Sequence, residues 1–83
     1  MSREELTALE DKAILRAAMR DRNLTQVILA ERLGMRQASL SGNMNRTRMG
    51  LDVFMKILDA MDYDVAVVDR ETGEIKWRVE VRE

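Results

Sequence analysis

At Tyr63 the spacing of apolar residues changes from a helical period to a period of two, and no other feature limits the fold of this 83-residue chain so strongly. Before that point apolar residues recur three, four and seven positions apart; after it they alternate with charged ones. The sequence therefore reads as mainly α with a C-terminal β-hairpin: one domain over 1–83, with a bundle of about four helices over 1–62 and two antiparallel strands over 63–83. A domain this short buries only about 60% of its unfolded surface or slightly more. It should be marginal alone and gain from a partner.

The helical part divides at its capping residues. Residues 2–22 are rich in Ala, Leu, Glu and Arg, and Ser2 with Glu5 reads as a capping box. Leu6, Leu9, Ala13 and Ala17 form a stripe, widened by Ile14, Leu15, Ala18 and Met19. Asn23 suits a left-handed helix terminus. Thr25 reads as the N-cap of a second helix, Gln26 to Leu33, with Ile28, Leu29 and Leu33 as its buried face and Gly34 as its stop. A third helix, roughly Arg36 to Asn45, has its clear apolar positions at Leu40 and Met44; Gln37, Ala38, Ser39, Ser41, Gly42 and Asn43 are small or polar. Such a helix buries little, so its outer face serves something other than a core. A fourth runs from Leu51 to about Met61, with Leu51, Phe54, Leu58 and Met61 in helical register. Leu29, Leu33, Leu40, Phe54 and Leu58 are expected to pack together, with the methionines filling gaps.

The strand part reads as a hairpin. Tyr63 to Val68 is a β-rich run, Asp69 to Gly73 a short loop, and Glu74 to Arg82 alternates charged with apolar. Ile75, Trp77, Val79 and Val81 fall on one face. A two-stranded ribbon is marginal in water, so it must dock on the helices or pair with another chain.

Charge points to a partner. The net charge of −1 conceals a basic middle, since residues 20–48 hold six arginines (Arg20, Arg22, Arg32, Arg36, Arg46, Arg48) against Asp21 and Glu31. A basic stretch between acidic ends suits a surface that faces a polyanion. The absence of His and Cys excludes a zinc finger, a thiol nucleophile, a Ser-His-Asp triad and a disulfide. No nucleophile–base or metal constellation is visible, so neither an enzyme nor a cofactor is expected. No apolar run approaches a membrane span and nothing resembles a signal peptide, which fits a soluble cytoplasmic protein.

Leu24 to Leu58 carries the most specific pattern: Leu-Thr-Gln-x-x-Leu-Ala-x-x-Leu-Gly-x-x-Gln-x-x-Leu-Ser, continuing through Asn45 to Leu51-Asp52 and Ile57-Leu58. It resembles the helix-turn-helix of the phage Cro/repressor family, also called the xenobiotic-response-element (XRE) family, over about residues 14–62. Two short helices joined at a glycine, the second with a small polar outer face, also suit a major-groove reader on physical grounds.

The resemblance implies a DNA-binding surface made of Gln26, Arg36, Gln37, Ala38, Ser41, Gly42, Asn45, Arg46 and Arg48. Gln26 matches a phosphate-holding position, where helix N-terminal amides also favour an anion. Arg36 is matched to guanine and Gln37 to adenine by their donor and acceptor geometry, and Ala38 to a thymine methyl; Arg36 also stands where a phosphate is within reach. Asn45, Arg46 and Arg48 are positioned for backbone contacts. Gly42 costs a helix interior about 0.8–1 kcal/mol relative to Ala. Either it lets the helix approach DNA closely, or the helix ends early. The loop before Leu51 is about one residue shorter than the common form, and the sequence pI of ≈ 5.5 predicts weak non-specific binding.

Two functions follow. The first is a sequence-specific, repressor-like transcriptional regulator that binds a double-stranded DNA operator as a homodimer. The second is a protein-binding module on a helix-turn-helix scaffold, such as an antitoxin or a phage-encoded inhibitor, since fold alone does not choose between them.

Overall fold

The computed structural model describes residues 6–80. Four helices, α1 (Asp11–Asp21), α2 (Gln26–Leu33), α3 (Gln37–Asn45) and α4 (Leu51–Asp59), precede two strands, β1 (Val65–Val68) and β2 (Ile75–Val79).

Three of the helices terminate by one device. After α1, the Leu24 N–H donates to the Met19 carbonyl at 2.8 Å and the Asn23 N–H to Arg20 at 3.1 Å. After α2, the Met35 N–H donates to Ala30 at 3.0 Å and the Gly34 N–H to Glu31 at 3.1 Å. After α4, the Tyr63 N–H donates to Leu58 and the Asp62 N–H to Asp59, both at 3.0 Å. These paired bonds satisfy the last carbonyls and need a left-handed residue at the turn. Asn23 (φ 55°), Gly34 (φ 67°) and Asp62 (φ 63°) supply it, and they are the residue types least penalised there.

The core joins all four helices. Leu15 and Ala18 from α1, Leu29 and Ala30 from α2, Leu40 and Met44 from α3, and Ile57 and Leu58 from α4 pack with Met61. Leu33 and Phe54 pack against this cluster from partly buried positions, so the five expected core residues do meet. Among the described residues the buried set is wholly apolar, and each fully buried leucine or isoleucine contributes about 1.5–3 kcal/mol. Met44, Met55 and Met61 are buried while Met19, Met35 and Met49 pack around the cluster. That is the gap-filling role expected of an unbranched thioether.

Several element ends differ from the sequence expectation. The first helix begins at Asp11, not near residue 2; Glu10 is extended (φ −66°, ψ 160°), and Leu6 and Leu9 are exposed. A short helix persists only where an apolar face is packed, and α1 packs from Ile14 onward. The Ser2–Glu5 capping box lies outside the described residues. Ile28 is exposed and Ala30 takes its inward place on α2. Arg36 is the N-cap of α3 and not its first residue. Leu51, at the first position of α4, is exposed, and the buried α4 residues are Met55, Ile57 and Leu58.

The strands pair antiparallel, Val65 with Val79, Ala66 with Arg78 and Val67 with Trp77, before a bulge that sets Val68 opposite Ile75. Both strands are shorter than the alternation predicts, and Val81 and Arg82 lie outside the described residues. Asp69 closes the hairpin: its Oδ1 accepts from the Glu71 N–H at 2.8 Å and the Thr72 N–H at 3.1 Å. Of the strand residues, Val65 joins the core. A groove of about 680 Å³, lined by Arg32, Lys56, Asp59, Tyr63, Val65 and Arg78, separates the hairpin from α2 and α4. Ile75 and Trp77 are 67% and 68% exposed. Ile75 and Trp77 are thus not docked on the helices, whereas Val79, opposite Val65, is half-buried and lines the groove.

Candidate nucleic-acid interface

The α2–turn–α3 unit is fixed at each end by local chemistry. Thr25 is extended, and its Oγ1 accepts from the Ile28 N–H at 3.3 Å, which starts α2. Gln26 is therefore the first residue of that helix and is half-buried. The left-handed Gly34 reverses the chain, Met35 anchors the turn against the core, and Arg36 caps α3 through its carbonyl, which accepts from the Leu40 N–H at 3.1 Å. No side chain caps α3, so its first-turn amides are left for solvent or a ligand.

Leu40 and Met44 define the inward direction of α3. At about 100° per residue, Gly42 lies opposite their midpoint, with Ala38 and Asn45 within about 60° of that outer pole. Arg36, Gln37, Ala38, Ser39, Gly42 and Asn45 are exposed and Ser41 is half-buried. Gln37 lies on the Met44 side yet stays open to solvent in the first turn. Asn45 Nδ2 donates to Ser41 Oγ at 3.5 Å, so these two polar groups partly occupy each other. The helix is continuous through Asn45, which removes the possibility that Gly42 ends it early.

Beyond α3 the chain turns extended at Arg46 (φ −66°, ψ 147°), and Arg46, Thr47 and Arg48 are exposed before Met49 packs on the core. Ser39 and Thr47 offer hydroxyls on this same surface without having been marked by the motif; their exposure alone signals them. Among the described residues Arg36, Arg46 and Arg48 form no ion pair, and α3 carries no acidic residue.

Not all of the basic middle belongs to this surface. Arg22 Nε donates to the Met61 carbonyl at 3.0 Å and Arg32 Nη1 to the Ala60 carbonyl at 3.3 Å. These two arginines hold the C-terminal end of α4. Charge counting had pooled them with the three around α3.

The chain matches the family model of the Cro/C1-type HTH DNA-binding domain over residues 15–66, more than half of its length. It belongs to that family. No curated protein and no solved structure matches it. The Cro/C1-type match runs from the buried Leu15 of α1 to Ala66 in β1, so it contains every residue of the α2–α3 surface and leaves β2 outside. Among the described residues no helix is long and apolar enough to cross a membrane.

Proposed function

We propose that this Cro/C1-type protein is a sequence-specific transcriptional regulator, repressor-like, that binds a duplex operator as a homodimer in the cytoplasm and acts by binding and not by catalysis. The observation that carries the reading is the acid-free, exposed face of α3 with unpaired arginines at both ends. In this reading α3 enters the major groove. Gln37 reads adenine, Arg36 takes a guanine edge or a phosphate, and Ala38, Ser41 and Gly42 lie along the groove floor. Gln26, Asn45, Arg46 and Arg48 hold the sugar–phosphate backbone and set the register.

One recognition helix covers only a few base pairs, so specificity requires two half-sites about one helical turn apart. The 1–62 bundle then supplies recognition, and the 63–83 hairpin supplies dimerisation. Val67, Ile75 and Trp77 are exposed on the hairpin, and an open edge beside them invites pairing with a second copy. The same surface favours a second reading, in which the hairpin grips a different protein, as in an antitoxin or a phage-encoded inhibitor.

Selection from a random duplex pool tests the first reading. A palindromic motif should emerge. Gln37→Ala should cost about 1–3 kcal/mol at one base position, whereas Arg48→Ala should weaken all sequences alike and lower the salt slope by about 1. Enrichment of no motif, with no duplex affinity at low salt, would leave the protein-binding reading.

A further inference from the structure

Gly42 is a glycine that the fold itself does not need. Its backbone is not in the left-handed region that favours glycine, as those of Gly34 and Gly73 are. A Cβ built on it meets no atom within 4 Å beyond its chain neighbours and the backbone of its own helix. It stands in the interior of a nine-residue helix, where glycine is the least favourable residue after proline. Helix stability, core packing and backbone conformation would all accept alanine. The remaining constraint lies outside the chain, and Gly42 occupies the outer pole of α3, opposite Leu40 and Met44.

Resting on the DNA reading above, we propose that Gly42 is where the α3 backbone itself abuts the duplex, and that the missing side chain sets how deeply the helix seats in the groove. Ala38, one turn earlier on the same face, adds only a methyl. Arg36 and Gln37 stand at the N-terminal end of α3, away from the pole that Gly42 occupies, and the closer the helix axis seats, the further their side chains reach toward base edges. Gly42 thus acts on specificity by excluding bulk, while the side chains around it supply the hydrogen bonds. A base pair facing Gly42 is read by its shape.

The test compares wild type with Gly42→Ala and Gly42→Leu in thermal melts and in titrations with the selected operator duplex and a scrambled duplex. Both variants should melt higher, Gly42→Ala by about 4–8 °C, because both favour the helix. Operator affinity should fall about tenfold or more for Ala, the scale of one mismatched base pair, and further for Leu. The weak, salt-dependent affinity for scrambled duplex should remain, which separates a blocked approach from a misfolded chain. If wild type binds the operator and Gly42→Ala binds equally well, the close approach is refuted and the DNA reading stands. A lower melting temperature for Gly42→Ala would also refute it, because glycine would then serve the fold. Failure of wild type to bind any duplex would overturn both.

Discussion

The Arg22 guanidinium lies over the ring of Tyr63, 4.1 Å from its centroid. The same guanidinium donates to the Met61 carbonyl at 3.0 Å and the Asp62 carbonyl at 3.2 Å, and the Tyr63 hydroxyl donates to the Asp21 carboxylate. That hydrogen bond, with some desolvation, raises the Tyr63 pKa above its ordinary 10.0. The last residue of α1, Asp21, and its C-cap, Arg22, therefore hold the corner where α4 gives way to β1. The direction in which the hairpin leaves the bundle depends on this corner.

Arg22→Ala should destabilise the protein by about 1–2 kcal/mol, through loss of the stack and of a charged donor to two carbonyls. Arg22→Lys should recover only part, since an ammonium lacks the planar fork. Urea melts measure both. An unchanged midpoint for Arg22→Ala, or full recovery by lysine, would show that the corner is held otherwise.

Leu40 is fully buried and is the inward anchor of the helix that carries the candidate surface. Leu40→Ala should cost about 2–5 kcal/mol, a large share of the roughly 5–15 kcal/mol that holds a domain together. Calorimetry should show a much lower or absent transition. A nearly unchanged cooperative melt would place Leu40 outside the core.

Most of the bundle was legible because its signals are local. Thr25, Gly34 and Asn23 mark their positions by side-chain chemistry, and Leu40 and Met44 stand out on an otherwise small, polar helix. The candidate surface was legible for the same reason: it is nearly continuous in sequence. Leu6 and Leu9 misled because periodicity records an apolar stripe but not whether a partner lies opposite it. Asp62 gave no warning, since aspartate is common in places that need no positive φ. The bulge opposite Val67 and Val68 is invisible to strict alternation. The roles of Arg22 and Arg32 depended on where α4 ends, which no charge count contains.

Acid should loosen the hairpin turn. The Asp69 carboxyl is held below its ordinary 3.8 by the backbone N–H of Thr72 and then by that of Glu71. Because the folded pKa is the lower one, the stabilisation is full above about 3.8 and is lost as pH falls through the depressed value. The Thr72 and Glu71 amide proton shifts should titrate with a midpoint below 3.8. A midpoint at or above that value would mean the carboxylate does not accept these bonds.

Trp77→Glu should separate folding from association. The side chain is exposed, so the helices should keep their melt, while sedimentation should show a shift from dimer to monomer. Affinity for a full palindrome should fall more than affinity for a half-site. A variant that remains dimeric, or a wild type that is monomeric at every concentration, would remove the hairpin from the interface.

Backbone amide shifts on titration with the selected duplex test the central claim most directly, because they locate the contact without altering the protein. The changes should concentrate at Gln26, at Arg36 through Gly42, and at Asn45 through Arg48, and should weaken together as salt is raised. Shifts confined to the hairpin or to α1, with α3 unmoved, would contradict DNA recognition through this face.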